Sequence, residues 1–157
     1  MNTDHVLAYL DGRHVRWRLT FDQCLDEAGP DPRARLLAVF DALRACAVSP
    51  QGLRSFSFTH AVTEMSGPQS SIRTTVVTAK QALRKQLLGL AETTGTPDPD
   101  LLTDQLLLLY EGAVANHALG TVDHAADTAH ATARQLIAAA SPLPLQTFPI
   151  GPESPHI

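Results

Sequence analysis

Histidines and carboxylates are the first residues of this sequence to consider for chemistry. His60 and Glu64 are four residues apart, and on a helix this spacing places both side chains on one face. Such a pair could contribute to a metal site or transfer a proton. No second histidine or carboxylate follows at a matching spacing, so the pair is a weak signal for either chemistry.

Other reactive residue types are present without the spacing that chemistry needs. His117, His124 and His130 are loosely spaced, which is typical of surface residues. Cys24 and Cys46 fit no metal or disulfide pattern, and their apolar surroundings favour small buried side chains in a reducing compartment. The chain has no nucleophile elbow and no phosphate-binding glycine loop. We therefore expect no catalytic residue, no metal site, no cofactor and no enzyme activity.

The composition indicates a helical protein of one domain. The chain has 157 residues, of which 44% are hydrophobic and 18% charged, and alanine and leucine, which favour helix, supply much of the apolar content. A formal net charge of −4 argues against a nucleic-acid surface, which needs clustered lysine and arginine. No signal peptide and no apolar run of roughly 20 residues occurs, so we expect a cytoplasmic protein and no membrane partner.

The apolar periodicity and the breakers predict an all-α, antiparallel bundle of about six helices. The expected helices cover about residues 4–28, 31–47, 56–65, 71–93, 99–118 and 122–140. Thr3 is the expected N-cap of the first helix, and Asp31-Pro32 and Asp98-Pro99 pair a capping aspartate with a first-turn proline. The domain is expected to span residues 1–140. Residues 141–157 are proline-rich and read as an irregular or disordered tail, although their apolar residues could instead pack on the body.

The fifth predicted helix, with the sequence LLTDQLLLLYEGAVANHAL, is apolar around most of its circumference. Such a helix must be buried on two sides, and one side can pack on its own domain. Leu101, Leu108, Ala115 and Leu119 form one of its two apolar seams. Small residues on the last two helices allow close approach, so we expect an isologous homodimer built as a four-helix bundle. The interface residues predicted are Leu102, Leu106, Leu109, Ala113, Asn116, Ala125, Ala129, Ala133 and Leu136.

These helices, in this order, resemble the C-terminal domain of TetR-family transcriptional regulators. The segment VLAYLDGRHVRW looks like the helix that follows the family's DNA-binding head, and GPDPRARLLAVFDAL looks like the start of the next one. DLLTDQLLLLYEGAVANHAL and VDHAADTAHATARQLIAAA are similar to the two dimerisation helices. The resemblance implies an effector-binding domain that would contact DNA only through a helix-turn-helix head absent from this chain.

A pocket in such a domain would be mostly apolar with a few converging polar groups, which suits a small apolar or aromatic effector. Trp17 and Phe21 also lie on the expected core stripe of the first helix, where an aromatic side chain more often packs than contacts a ligand, and His14 on that stripe is expected in the core or at its boundary. The candidate pocket residues are Trp17, Phe21, Phe56, Phe58, His60, Thr75, Thr78 and Tyr110.

Two other functions remain open on the sequence. One is an interaction protein without a head that pairs with a full-length relative and prevents its DNA binding. The other is a small helical enzyme that would depend on His60 and Glu64. The segment SFSFTHAVTE departs from the family's pattern, so the resemblance does not identify the effector.

Overall fold

The computed structural model describes residues 2–49 and 64–142. Throughout these residues the regular structure is helical and no strand occurs, which confirms the all-α prediction. The five long helices are α1 (Thr3–Ala28), α2 (Pro32–Ala47), α3 (Ser71–Thr93), α4 (Pro99–Leu119) and α5 (Ala125–Ala140). The helix predicted at 56–65 lies outside the described residues except for its last two, Glu64 and Met65, which are helical. A total of six helices therefore stays a prediction.

Aspartate caps set the starts of two helices as predicted. The Ala34 N–H donates to Asp31 Oδ2 at 3.2 Å, and the Leu101 N–H donates to Asp98 Oδ1 at 3.0 Å. In both helices the following proline occupies the first turn, where its missing N–H costs nothing. At α1 the cap is Asn2 and not Thr3, because the Asn2 side chain accepts the N–H of Asp4 at 3.0 Å.

The last helix begins later than predicted. The sequence placed its start at about residue 122, but α5 begins at Ala125. Gly120 ends α4 in the left-handed conformation, with φ of 67°, and His124 is also left-handed, with φ of 55°. A left-handed residue cannot continue a right-handed helix backwards, so His124 separates α5 from the turn before it.

The helices pack with α2 at the centre of the fold. α2 contacts α1, α3 and α5, while α4 contacts α3 and α5. α2, α3, α4 and α5 thus form a ring, and α1 lies against α2 and α3. The main core includes the fully buried Leu36 and Phe40 of α2 and Leu106 of α4, and a second, smaller core joins Val6 and Leu10 of α1 to the N-terminal half of α3.

The buried side of α1 differs from the predicted stripe. The predicted stripe also included Leu10, and both Leu10 and Phe21 are buried as expected, but His14 is exposed. Leu25, which was not part of the stripe, joins the core. The N-terminal half of this 26-residue helix packs on α3 and its C-terminal half packs in the main core. Since its two halves face different neighbours, no single stripe is buried along the whole helix.

The described part of the chain ends just after α5. Ser141 is buried, and its N–H donates to the carbonyl of Ile137 at 3.1 Å. The remainder of the predicted tail, residues 143–157, lies outside the described residues. Within the described ranges, no helix combines the length and the apolarity that crossing a membrane requires.

Candidate functional site

Three of the predicted pocket residues meet in one aromatic cluster, which we define as Trp17, Phe21, Phe40 and Tyr110. The ring centroids of Trp17 lie 5.9 Å from Phe21 and 5.7 Å from Tyr110. Phe40 contacts Tyr110 edge-on at 6.2 Å. Phe21 and Phe40 are fully buried and Tyr110 almost so, whereas Trp17 is half-buried. The cluster is therefore mainly core packing, and Trp17 is its accessible member.

Burial shifts the pKa values of the ionisable side chains in and beside this cluster. Burial raises the pKa of Tyr110 well above its ordinary value, and the negative charge of Glu111 adds to the effect. Burial likewise raises the pKa of the Cys46 thiol. The pKa of Arg13 is lowered by burial, an effect that the nearby Tyr110 opposes. A raised thiol pKa disfavours the nucleophilic thiolate, so this region is better suited to binding than to covalent chemistry.

The other predicted pocket residues do not join the cluster or lie outside the description. Thr75 on α3 is half-buried. Thr78 is exposed on the side of α3 away from the buried Val76, so it does not line a pocket beside the cluster. Phe56, Phe58 and His60 lie outside the described residues.

A cavity that the sequence did not indicate opens where the end of α2 meets the end of α4 and the start of α5. Its volume is about 580 Å³, and we call it the polar cavity. His117 and His124, which the sequence assigned to the surface, line it, and the His124 side chain is 83% exposed as expected. The third histidine of that prediction, His130, is instead mostly buried, with its side chain 13% exposed. Its lining residues are Asp41, Arg44, Ala45, Ala47, Val48, His117, His124, Ala126 and Asp127.

Hydrogen bonds between α2 and α5 border this cavity. Arg44 Nε donates to Asp127 Oδ1 at 2.8 Å, and His130 Nε2 lies 2.7 Å from Asp41 Oδ1. His124 Nδ1 is 3.9 Å from Asp127 Oδ2, which is too long for a hydrogen bond. Because Arg44 and Asp127, and likewise Asp41 and His130, are more than eighty residues apart in the chain, sequence spacing gave no signal of these two hydrogen bonds.

The outward side of the α4–α5 pair forms an apolar face, defined by Leu101, Leu108, Gly112, Ala115 and Leu119 of α4 and the neighbouring groove. Leu108 is 76% exposed, Leu119 77% and Leu101 53%. Beside this leucine ridge runs a shallow groove of about 270 Å³ between the two helices. The groove is lined by Leu108, Leu109, Gly112, Ala113, Asn116, Val122, Ala125, Thr128 and Ala129.

The nine predicted dimer-interface residues fall into three groups. Leu102, Leu106 and Ala133 are fully or almost fully buried in the chain's own core, so they have no surface left to offer a second copy. Leu136 is half-buried. The remaining five line the groove: Leu109, Ala113, Asn116, Ala125 and Ala129. The other apolar seam of this helix includes Leu101 and Leu108, which were not among the predicted interface residues, and both of these leucines are exposed.

The fold and these surfaces define an all-helical protein with an aromatic core, a polar cavity and an apolar face. Across residues 2–49 and 64–142, no group of three or more histidine, cysteine or acidic side chains is placed to hold a metal ion. Comparison of the chain with protein-family models, curated proteins and solved structures gives no match. The TetR resemblance therefore remains a hypothesis based on the sequence.

Proposed function

We propose that the chain is the effector-binding and dimerisation domain of a TetR-like transcriptional regulator, and that two copies pair through the apolar face. The observation that carries the proposal is the exposure of Leu101, Leu108 and Leu119 along one side of α4. The opposite side of the same helix already fills the core with Leu102 and Leu106. A contiguous exposed leucine ridge of this kind marks an interaction site.

Several of the charged side chains on α4 and α5 are paired with neighbouring helices. On α4, Asp100 and Asp104 pair with Arg84 of α3. Glu111 of α4 pairs with Lys80, which is also on α3. On α5, Asp127 pairs with α2. Taken together, the residues that define the leucine ridge and line the groove are leucine, alanine, glycine, valine, asparagine and threonine, and none of them is charged. Depletion of charge is the compositional mark of an interface core.

The shape of the face suits a second copy of the same chain. An isologous contact needs a surface that is complementary to itself after a two-fold rotation. Here the leucine ridge and the groove of small residues lie side by side, so Leu108 of each copy can enter the groove of the other beside Gly112. Two α4–α5 pairs joined in this way make a four-helix bundle.

For the effector, the proposal places a small apolar or aromatic molecule next to the aromatic cluster. Trp17 supports this because it is half-buried, unlike Phe21, on which it stacks. Arg13 of the same helix, half-buried, would supply a polar contact that orients a ligand. α1 would then report occupancy, since it carries both Trp17 and Arg13.

The mass of the protein in solution tests the dimer. We expect light scattering after size exclusion to give twice the 16.9 kDa chain mass at micromolar concentration. Leu108→Arg should reduce it to the monomer mass, because a buried unpaired charge at the centre of the contact is costly. Leu19→Arg is the matched control, since Leu19 of α1 is similarly exposed, at 65%, but lies outside the apolar face.

A monomeric wild-type protein, or a Leu108→Arg variant that remains dimeric, would contradict the homodimer. In the first case the alternative is a chain that pairs through the same face with a longer relative. Co-expression with such a relative would then yield mixed dimers that Leu108→Arg abolishes and Leu19→Arg preserves.

A further inference from the structure

We infer that the first part of α1, residues 3–11, forms an arm that undocks from α3 independently of the main core, with Gly12 as its hinge. In the structure the arm is docked, because Val6 and Leu10 pack on the N-terminal half of α3. Undocking exposes the apolar side chains beneath the arm and frees the start of α1 to change direction. The inference does not depend on whether the chain forms a dimer or binds an effector.

α1 is anchored at two separate places. Leu10 is its last residue in the small core that it shares with α3, and Phe21 is its first fully buried residue in the main core. Every residue of α1 between these two is half-buried or exposed. Within the described residues the two cores are separate clusters, so the arm can lose its contacts while the rest of α1 keeps its own.

A glycine lies in this interval without a packing reason. Gly12 is inside α1, and a methyl group in its place would meet, among the described residues, only Arg16 Nη1 at 3.6 Å, which is an ordinary contact distance. Glycine is one of the least favourable residues inside a helix, because it gains the most backbone freedom when the helix unwinds. Gly12 therefore weakens α1 between its two anchors, and we expect a movement of the arm to end there.

The part of α1 beyond Gly12 is held by its neighbours, so the hinge has a fixed side. Arg18 Nη1 donates to Gln86 Oε1 of α3 at 3.0 Å, and the Trp17 ring lies 5.7 Å from the ring of Tyr110 on α4. Undocking the arm requires only the small core to separate. Regions with few buried apolar contacts open at lower free energy than the rest of a protein, so the arm opens more often than the main core.

Native-state amide exchange, measured by NMR under conditions where it reports opening equilibria, tests the arm. A substitution changes the exchange of an amide only if it alters the free-energy difference between the native state and the open state through which that amide exchanges. Val114 is buried in the main core, so Val114→Ala weakens the docked and the undocked state equally. We expect about tenfold faster exchange at residues 21–25 and no change beyond about twofold at residues 6–10.

Val76→Ala is the matched variant in the small core, because Val76 and Val114 are the same residue type and both are buried. It should accelerate exchange about tenfold at both residues 6–10 and residues 21–25. The reason is that Val76 loses its contacts with the arm both when the arm undocks and when the whole chain unfolds.

A pair of glycine substitutions locates the hinge. Gly12→Ala should slow exchange at residues 6–10 about fivefold, because alanine favours the helical backbone that undocking unwinds. The control is Gly89→Ala in the interior of α3, where no heavy atom of the described residues lies within 4 Å of the added methyl group. It should slow exchange at residues 21–25 and leave residues 6–10 unchanged, since α3 stays helical when the arm undocks.

Three results would overturn the inference. The first is an equal effect of Val114→Ala on residues 6–10 and 21–25, which would mean that α1 opens only together with the main core. The second is Val76→Ala without an effect at residues 6–10, and the third is Gly12→Ala without an effect there. If Val114→Ala does not fold, as judged by circular dichroism, Gly89→Ala makes the same comparison with the opposite sign.

Discussion

At the residue scale, Tyr110 joins three helices through one ring. It lies on α4, contacts Trp17 of α1 at 5.7 Å and meets Phe40 of α2 edge-on at 6.2 Å. Aromatic pairs in such geometries contribute roughly 0.5–1.5 kcal/mol beyond the area they bury. The position of α1 relative to α4 therefore depends in part on this side chain. Any movement of α1 that an effector beside Trp17 causes would change the contact between Trp17 and Tyr110.

The buried phenol of Tyr110 predicts a loss of stability in alkali. Its pKa is raised by burial, so above pH ~10 an unfolded tyrosine releases a proton that the folded one keeps. The unfolding free energy then falls by up to about 1.4 kcal/mol per pH unit. We expect Tyr110→Phe to decline less steeply between pH 10 and 11, as measured by urea unfolding. Tyr9→Phe, at an exposed tyrosine, is the control, and equal slopes in wild type and Tyr110→Phe would contradict the prediction.

Thr103 shows a second consequence of burial at the residue scale. It is fully buried, and among the described residues its hydroxyl oxygen has no hydrogen-bond partner. An unsatisfied buried hydroxyl costs roughly 1–3 kcal/mol. We expect Thr103→Val, which keeps the side-chain shape, to raise the unfolding free energy by about 1 kcal/mol in urea denaturation. Thr128→Val, at an exposed threonine of α5, should change it little. A destabilised Thr103→Val protein would indicate that the hydroxyl does have a partner.

At the element scale, α1 belongs to two cores. Its residues Val6 and Leu10 pack with Ile72 of α3 in the small core, while Phe21 and Leu25 pack in the main core. Among residues 2–49 and 64–142, the small core has four buried residues and the main one nineteen. Within that part of the chain, fewer buried residues hold the N-terminal half of α1 than the C-terminal half.

This difference predicts unequal protection along one helix. Regions with few buried apolar contacts open at lower free energy than the core. We expect amide hydrogen exchange to be faster at residues 6–10 than at residues 21–25, with the two halves of α1 serving as controls for each other. Equal protection in both halves would show that α1 opens as a single unit.

At the scale of the whole molecule, the ring of helices leaves the apolar face uncovered. α1 packs on α2 and α3, so in the described structure it does not lie over the outward side of the α4–α5 pair. That side keeps its leucine ridge, with Leu108 at its centre. If the chain pairs as proposed, the second copy covers the apolar face that α1 leaves exposed. The apparent free energy of unfolding will then rise with protein concentration, because pairing favours the folded state.

The sequence by itself determined the helical class and most helix boundaries. Asp31-Pro32 and Asp98-Pro99 start helices because a cap and a first-turn proline act within a single turn of the chain. The range Ser71–Thr93 also matched the predicted fourth helix, where the cap is Ser70, whose hydroxyl accepts the Ile72 N–H at 3.2 Å. These signals are local, and no distant residue has to be known for them to operate.

Only the tertiary structure decided which side of each helix is buried. The two seams of α4 are both apolar, and the positions of α3 and α5 select Leu102 and Leu106 for the core while leaving Leu101 and Leu108 outside. The same holds for His130, whose partner Asp41 is 89 residues away in the chain. Burial and long-range pairing depend on neighbours that chain folding brings together, and the local pattern of one helix does not contain that information.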